Sequence, residues 1–219
     1  MTFLDNHDQR ERFYFVPADP AHSHNFDAQV TLGLACLFTL QGIPCVYDGT
    51  EQGLHGRGNS DQAVREALWG APNPFNQTHP FYQAIQQLAQ LRDNQPAVRY
   101  GRQYFRPLSG DRSTFVLSSF APGVLAFSCI LSDQEIVVAA NMTQNQQPLA
   151  VIVDFSLNPL STNFNILYSN MPAPIAPSPV REIAGGNCTI FEVDGRVNHG
   201  PVRYVEVTLQ PMEVQILGR

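Results

Sequence analysis

Three clusters of polar residues near the start of the chain carry side chains that bind and polarise hydroxyl groups. The first cluster is Asp5-Asn6-His7-Asp8, and it directly follows a short apolar stretch. Carboxylates accept paired hydrogen bonds and histidine donates them, so this cluster suits the hydroxyl groups of a sugar. A polar loop that caps a helix has the same composition, and that alternative stays open at this point.

The second cluster lies in the segment from Gly42 to Gly53, where an apolar run ends in an acidic loop containing Asp48 and Glu51. In a barrel of alternating strands and helices, residues just past the carboxyl end of a strand face the active site. The glycines of this loop do not follow the G-x-G-x-x-G order, and no Lys-Ser/Thr pair closes a phosphate-binding loop. We therefore do not expect nucleotide binding here.

The third cluster is Asp61-x-x-x-Arg65-Glu66-Ala67-Leu68-Trp69. If residues 61–68 form a short helix, Asp61 and Arg65 share one of its faces. The alternative is a surface ion pair of little energetic consequence. The only tryptophan of the chain, Trp69, either stacks on a sugar ring or belongs to the core.

Metal and redox chemistry find little support in the sequence. His22-x-His24 has a spacing found in metal sites, but no third ligand accompanies it. The cysteines form no C-x-x-C pair, and we expect Cys36 and Cys45, which lie in apolar runs, to be buried thiols. We predict no metal site and no other cofactor.

Up to residue 96, strand-like and helix-like segments alternate. Residues 2–5 form a short extended run, and residues 25–40 read as a helix that is apolar nearly all round and therefore buried. Residues 43–47 are a β-branched apolar strand, and Pro80 suits the first turn of a helix that continues to about residue 92. The order strand, helix, strand, helix indicates parallel βα units.

From residue 97 onward the sequence predicts only short strands separated by turn residues. Regularly spaced strands of this kind favour an antiparallel β-sandwich. We therefore predict two domains, residues 1–96 and residues 97–219. The candidate strands are residues 104–107, 114–120, 124–131, 135–141, 149–154, 165–168, 189–193, 203–209 and 214–217.

Composition and charge exclude several classes of protein. Of the 219 residues, 43% are hydrophobic and only 15% are charged, which favours a folded chain over a disordered one. The net charge is −6 and no cluster of lysines and arginines occurs, so we expect no nucleic-acid partner. No apolar run reaches the length of about 18 residues that a membrane helix needs, so we expect no membrane partner, and the localisation stays open.

Taken in order, the three clusters resemble motifs of the α-amylase family of glycoside hydrolases. Phe3 to Asp8 resembles F-x-x-N-H-D at the seventh barrel strand, and Arg12-Phe13 extends the match. Gly42 to Gln52 resembles G-x-P-x-x-Y-x-G-x-E at the eighth strand, and Asp61 to Trp69 is similar to a sugar-binding stretch of fungal amylases. The implied fold is α+β: an incomplete C-terminal segment of a (β/α)8 TIM barrel, followed by an all-β antiparallel sandwich domain.

The resemblance also implies roles for four residues. Asp8 corresponds to the third carboxylate of the family, which stabilises the transition state, and His7 would bind the same sugar. Asp61 and Arg65 would contact a sugar further along the chain. The family's nucleophile and acid/base lie on the fourth and fifth barrel strands, upstream of N-H-D, whereas only five residues precede that motif here.

Three hypotheses follow from this resemblance. The chain is a fragment of a retaining, α-glucan-active hydrolase without its nucleophile and acid/base, an accessory protein that binds carbohydrate, or a half-enzyme that completes a separate N-terminal part. The expected ligand is an α-glucan or oligosaccharide. The expected protein partner is the N-terminal barrel segment or a second copy, because the helix predicted at residues 25–40 would otherwise lack cover. Linkage specificity, and the choice between hydrolase, transglycosylase and isomerase, stay open.

Overall fold

The computed structural model describes most of the chain. The described residues are 1–9, 11–14, 23–56, 62–117, 123–172, 176–192 and 194–219, without the side chains of 23–26. The chain divides into two compact units, residues 1–94 and 95–219. The fold class is the predicted one, with helices and a parallel strand pair in the first unit and β-sheets in the second.

Among the described residues of the first unit, two strands and two α-helices alternate. The strands are parallel and pair in register, with Thr2 opposite Pro44 and Phe3 opposite Cys45. This is the order predicted for βα units, although both strands are shorter than expected. The elements are β1 (Thr2–Phe3), α1 (Ser23–Thr39), β2 (Pro44–Cys45) and α2 (Pro80–Asn94).

Helix α1 is buried within its own unit, so the expectation that it would lack cover is wrong. The helix is covered because the loop after β1 approaches it closely at Gly33. A Cβ at Gly33 would lie 2.7 Å from the ring of Phe13 and 3.2 Å from Leu4, so the missing side chain lets the loop after β1 pack directly on the helix. Helix α2 supplies a buried apolar face through Phe81 and Leu88. The buried apolar side chains described in α1 are Ala28, Val30, Leu32, Leu34, Ala35, Leu37 and Phe38.

Arg92 fixes the end of α1. Its Nη1 donates to the carbonyl oxygen of Phe38 over 2.6 Å, and its Nη2 donates to that of Gly42 over 2.7 Å. The last carbonyls of a helix have no partner within the helix. Arg92 of α2 therefore caps α1 and holds the turn that leads into β2.

The prediction of a short helix at residues 61–68 is wrong for the residues that the structure describes. Residues 62–65 form a turn, Ala67 is extended, and only a 3-10 turn follows at Leu68–Gly70. Short helices need tertiary packing to persist, and here Val64 and Leu68 are buried without a helix between them. Residue 61 lies outside the described residues.

In the part of the second unit that the structure describes, a short helix is followed by thirteen strands. Its helix is α3 (Pro96–Tyr100). The strands are β3 (Arg102–Phe105), β4 (Leu108–Ser109), β5 (Thr114–Phe115), β6 (Val124–Leu131), β7 (Gln134–Asn141), β8 (Gln147–Val153), β9 (Asn163–Ser169), β10 (Ser178–Pro179), β11 (Arg181–Ile183), β12 (Thr189–Phe191), β13 (Val197–Asn198), β14 (Val202–Leu209) and β15 (Val214–Gly218).

These strands form three sheets in the described residues. A six-stranded sheet has the order β10-β9-β15-β7-β6-β3, and a four-stranded sheet has the order β11-β14-β8-β4. The third sheet, β13-β12-β5, contains one parallel pair, β12 with β5, where the sequence predicted only antiparallel pairing. All other strand pairs between described residues of this unit are antiparallel.

The four-stranded sheet carries a hydrophobic core on each face. On β14, Val205, Val207 and Leu209 join the larger core, which also contains Val137 and Phe164 of the six-stranded sheet. On the other face, Val202 and Tyr204 join a smaller core with Phe115, Cys188 and Ile190. This alternation is the period-two pattern of a strand that is buried on both sides. The two cores are what make the unit a layered β-sandwich.

A buried carboxylate ties the strands of the second unit together. Glu135 is 0% exposed, and its Oε1 accepts hydrogen bonds from Arg106 (2.7 Å) and Ser128 (2.5 Å). Its Oε2 accepts from the backbone N–H of Asp154 (2.9 Å) and the amide of Asn158 (2.5 Å). A buried charge is tolerated when it is paired and hydrogen-bonded in this way.

We expect residues 95–219 to survive limited proteolysis as a folded fragment. This unit has its own cores, and domains with their own cores resist cleavage except in the exposed segments between them. Mass spectrometry of the first protected product should give a fragment that begins near residue 95. A first protected fragment covering residues 1–94 would contradict this division.

Candidate functional site

The carboxylate of Asp5 is a structural group of the loop that follows β1. Asp5 is 4% exposed, and its Oδ1 accepts a hydrogen bond from the backbone N–H of Phe13. Its Oδ2 accepts one from the hydroxyl of Thr50 over 3.3 Å. Asp5 therefore closes the loop of residues 5–13 on itself and fastens it to the loop after β2.

The next acidic residue of the same loop, Asp8, faces solvent. Its side chain is 73% exposed and that of His7 is 63% exposed, with 3.2 Å between the Nε2 of His7 and the Oδ1 of Asp8. The backbone N–H of Asp8 donates to the Oδ1 of Asn6 over 2.8 Å, which fixes the turn. Both side chains are thus presented outward from a hydrogen-bonded turn, free to meet a ligand.

Arg65 joins this pair from a distant part of the chain. Its Nε donates to the carbonyl oxygen of His7 over 3.1 Å, and its Nη2 lies 3.5 Å from the Oδ1 of Asp8. The structure thus brings three of the four predicted site residues together: His7, Asp8 and Arg65. The fourth, Asp61, lies outside the described residues. Since Arg65 is 50% exposed, the ion pair with Asp8 contributes little stability.

Arg12 connects the two loops that follow the strands. It is 5% exposed, its Nη1 donates to the carbonyl oxygen of Asp48 over 2.9 Å, and its guanidinium lies 4.3 Å from the centre of the Tyr47 ring. The sequence identified Arg12 only as an extension of a motif, and it grouped Asp5 with the cluster suited to sugar hydroxyls, whereas Asp5 is buried. No local pattern could have shown that these two side chains are buried, because Thr50, which bonds Asp5, and Asp48 and Tyr47, which contact Arg12, lie on the loop after β2.

The loop after β2 owes its shape to two glycines. Gly49 and Gly53 have φ angles of 84° and 68° and flank the 3-10 turn Thr50–Gln52. A Cβ at Gly49 would collide with Leu54, so this position requires glycine on steric as well as conformational grounds. The turn also places Gln52 to exchange hydrogen bonds with the backbone of Asn76, at 3.2 and 2.9 Å.

Two titratable groups lie close to this loop. Burial and a hydrogen bond to the Asp27 carboxylate raise the pKa of Tyr14 to about 12. Burial lowers the pKa of His79, although the charges of Asp27 and Glu51 oppose that effect. The Nδ1 of His79 accepts the backbone N–H of Phe81 over 3.2 Å, which places the proton of the neutral ring on Nε2. Tyr14 and His79 are therefore neutral packing groups near pH 7.

Trp69 is exposed, which excludes one of the two alternatives left open for it, that of a core residue. Its exposed fraction is 78%, whereas the preceding Leu68 is 7% exposed. The indole is therefore not a core residue. Phe75, on the same segment, is 66% exposed.

The described residues contain no group of three or more His, Cys, Asp or Glu side chains that could hold a metal ion. His22 lies outside the described residues, and the side chain of His24 is not described, so the His22-x-His24 spacing is not settled. All four cysteines are free, and Cys36 and Cys45 are half-buried rather than fully buried. Within the described residues, no helix combines the length and the apolar character needed to cross a membrane.

Comparison with known proteins identifies relatives along most of the chain, although no family model matches it. The cyclomaltodextrin glucanotransferase of Geobacillus stearothermophilus is 39% identical over 111 residues, which cover 51% of this chain and 14% of that protein. The enzyme of the same name from Thermoanaerobacterium thermosulfurigenes is 28% identical over 199 residues, covering 90% of this chain and 22% of that protein. Over most of its length the chain is similar to enzymes of the α-amylase family.

A solved α-amylase-family structure has the same fold over the full chain. The γ-cyclomaltodextrin glucanotransferase of alkalophilic Bacillus clarkii superposes with a TM-score of 0.62 at 23% identity, covering 99% of this chain and 25% of that one. This likeness confirms the predicted fold, a partial barrel segment followed by a β-sandwich domain. The chain spans less than a quarter of the length of the two curated relatives and corresponds to the C-terminal part of such an enzyme.

Proposed function

We propose that this chain supplies part of the substrate site of an α-glucan-active, retaining glycoside hydrolase of the α-amylase family. The observation that carries the proposal is the contact of Arg65 with both His7 and Asp8. At one exposed surface this contact joins Arg65 to His7, which is 58 positions away in the sequence, and to Asp8, which is 57 positions away. The names of the relatives, which are glucanotransferases of cyclomaltodextrins, support an α-glucan as the ligand.

The chemistry of the three side chains fits this role. Glycoside hydrolysis passes through an oxocarbenium-like state, in which positive charge develops on the sugar ring. In this proposal the Asp8 carboxylate stabilises that charge and accepts bonds from sugar hydroxyls, while His7 donates to the same sugar. Arg65, together with Asp61, contacts a sugar further along the glucan. Each side chain of the described trio is at least half exposed, so a ligand reaches it without displacing the core.

The two groups that break the glycosidic bond are proposed to come from another barrel segment. A retaining glycosidase uses a nucleophile and an acid/base held about 5–5.5 Å apart. The resemblance assigns neither role to a residue of this chain. The segment that carries them would belong either to the same longer polypeptide or to a separate chain that this one completes. A second copy of this chain would lack the same two groups, so as a partner it would cover exposed surface without supplying them.

We expect the isolated chain to bind malto-oligosaccharides without hydrolysing them. Isothermal titration with maltoheptaose measures binding, and reducing-sugar release measures hydrolysis. Arg65→Ala should weaken binding severalfold, since it removes a charged donor and the support of Asp8. Arg196→Ala is the matched control, because that exposed arginine also pairs with an exposed aspartate, Asp194.

Two results would contradict this proposal. A clear, heat-labile turnover that co-purifies with the protein would show that the chain carries its own nucleophile. Equal affinities of Arg65→Ala and Arg196→Ala would show that the surface formed by His7, Asp8 and Arg65 does not bind the sugar.

A further inference from the structure

The exposed indole of Trp69 is the feature of the first unit that the proposed function does not yet use. It is the only tryptophan among 219 residues, and it is 78% exposed. Scattered exposed apolar residues are normal on protein surfaces. Tryptophan, however, has a large apolar side chain, so its exposure to water is unfavourable. Its flat face is also suited to stacking.

The segment that carries Trp69 is held in place at both ends. At its start, Leu68 is buried, and two consecutive turn bonds follow, from Gly70 N to Ala67 O (3.0 Å) and from Ala71 N to Leu68 O (3.1 Å). At its far end, Asn76 exchanges two hydrogen bonds with Gln52, at 3.2 and 2.9 Å. The outward position of the indole is therefore a property of an anchored segment, and a ligand that stacks on it does not have to order the loop first.

The location of the indole relates it to the proposed sugar site. Trp69 follows Arg65 by four residues, so their Cα atoms lie no more than about 14 Å apart. Arg65 itself contacts His7 and Asp8. The indole is therefore carried close enough to the Arg65 surface for one oligosaccharide of several rings to span the two.

We propose that Trp69 is a stacking platform for a further glucose ring of the same α-glucan, beyond the ring held by Asp8 and His7. The flat face of a pyranose presents C–H groups, which pack on an aromatic face, and its hydroxyls stay at the rim in water. Phe75, 66% exposed on the same segment, extends the apolar surface. This inference rests on the proposed function and adds a second contact point, which makes longer oligosaccharides bind more tightly than short ones.

The single tryptophan makes the inference directly measurable. Its fluorescence reports this one side chain, so the full chain is titrated with maltose, maltoheptaose and the β-linked cellohexaose, while calorimetry measures affinity in parallel. The variants are Trp69→Ala, which removes the ring, and Trp69→Phe, which keeps a smaller aromatic face. Phe191→Ala is the control, since it removes another exposed aromatic side chain, 42% exposed, from the second unit.

The expected result is a change in tryptophan emission with maltoheptaose that saturates at the calorimetric Kd. Trp69→Ala should raise the Kd for maltoheptaose between about threefold and tenfold, the range of one aromatic contact. It should leave the weaker Kd for maltose nearly unchanged. Trp69→Phe should recover most of the lost affinity, and Phe191→Ala should behave as wild type.

Three outcomes would overturn the inference. If the wild-type chain binds maltoheptaose with no change in its emission, and Trp69→Ala binds it with the same Kd, then Trp69 is not a stacking platform. The proposed function is not affected by that result. No binding of any α-glucan to the wild-type chain sinks both. Emission that shifts with protein concentration in the absence of sugar, and no longer responds to maltoheptaose, shows that a second copy of the chain covers the indole instead.

Discussion

Asp8→Asn should lower kcat at least about a hundredfold in an enzyme that contains this chain together with a complete barrel, the scale of losing one preorganised electrostatic group. The suitable enzyme is a fusion of the chain to the preceding barrel strands of a cyclomaltodextrin glucanotransferase. In our proposal the carboxylate acts on the positive charge of the transition state, so its removal lowers kcat more than it raises KM. Initial rates on maltoheptaose measure both constants.

The matched control for this substitution is Asp48→Asn. Asp48 is an exposed aspartate on the loop after β2, and its contact with Arg12 uses the backbone carbonyl, which asparagine keeps. We expect less than about a threefold change in kcat, as for a surface position away from the chemistry. Near-normal turnover in Asp8→Asn would refute the transfer of the family role to this residue.

Substituting Asp8 in the isolated chain should have little effect on its stability. The Asp8 side chain is 73% exposed and its partners His7 and Arg65 are also exposed. Surface substitutions of this kind change the free energy of unfolding by no more than about 0.5 kcal/mol. A loss of activity in the fusion therefore reports chemistry and not unfolding.

Glu135→Ala should be among the most destabilising single substitutions in the second unit. It removes the acceptor of four hydrogen bonds at a position that is 0% exposed. It also leaves Arg106, 14% exposed, without its counter-charge. Removing one partner of a buried ion pair costs about 3–5 kcal/mol. Denaturant unfolding followed by far-UV circular dichroism measures this loss.

Two further variants separate the buried ion pair from ordinary packing. Glu192→Ala is the control, because Glu192 is exposed in the same unit, and we expect its midpoint of unfolding to match wild type. In the double variant Glu135→Leu with Arg106→Met, both charges disappear and the volume is largely kept, so it should be less destabilised than Glu135→Ala. A double variant as unstable as Glu135→Ala would show that the bonds to Asp154 and Asn158 dominate instead.

Long strands of the second unit could be predicted because their own residues encode them. Residues 124–131 were predicted as a strand and form β6 with the same bounds, and β7, β14 and β15 differ from their predictions by one residue. Each of these strands carries apolar side chains that alternate or run continuously, which is a local signal. The two-residue strands β4, β10 and β13, and the three-residue β11, were not predicted. They are too short to show a period and exist because a longer neighbour offers hydrogen bonds.

For the candidate site too, one part could be predicted from the sequence and another part could not. The identity of His7, Asp8 and Arg65 as candidates came from residue type and motif order, which the sequence states outright. Their contact could not be predicted from spacing, since the helix expected at residues 61–68 is a turn where it is described. The loop that carries His7 and Asp8 is held to the loop after β2 by long-range bonds, from Thr50 to Asp5 and from Arg12 to Asp48, which the sequence pattern does not contain.

The sequence by itself therefore determined the resemblance to the α-amylase family, the fold class and the side chains suited to a sugar, because those depend on residue types in order along the chain. Only the tertiary structure decided that Asp5 is buried while Asp8 is exposed, and that Trp69 faces solvent. It also decided that α1 is covered, since Gly33 lets Phe13 pack against the helix. The physical reason is the same in each case: burial and hydrogen-bond partners are supplied by residues far away in the sequence, and local patterns do not contain them.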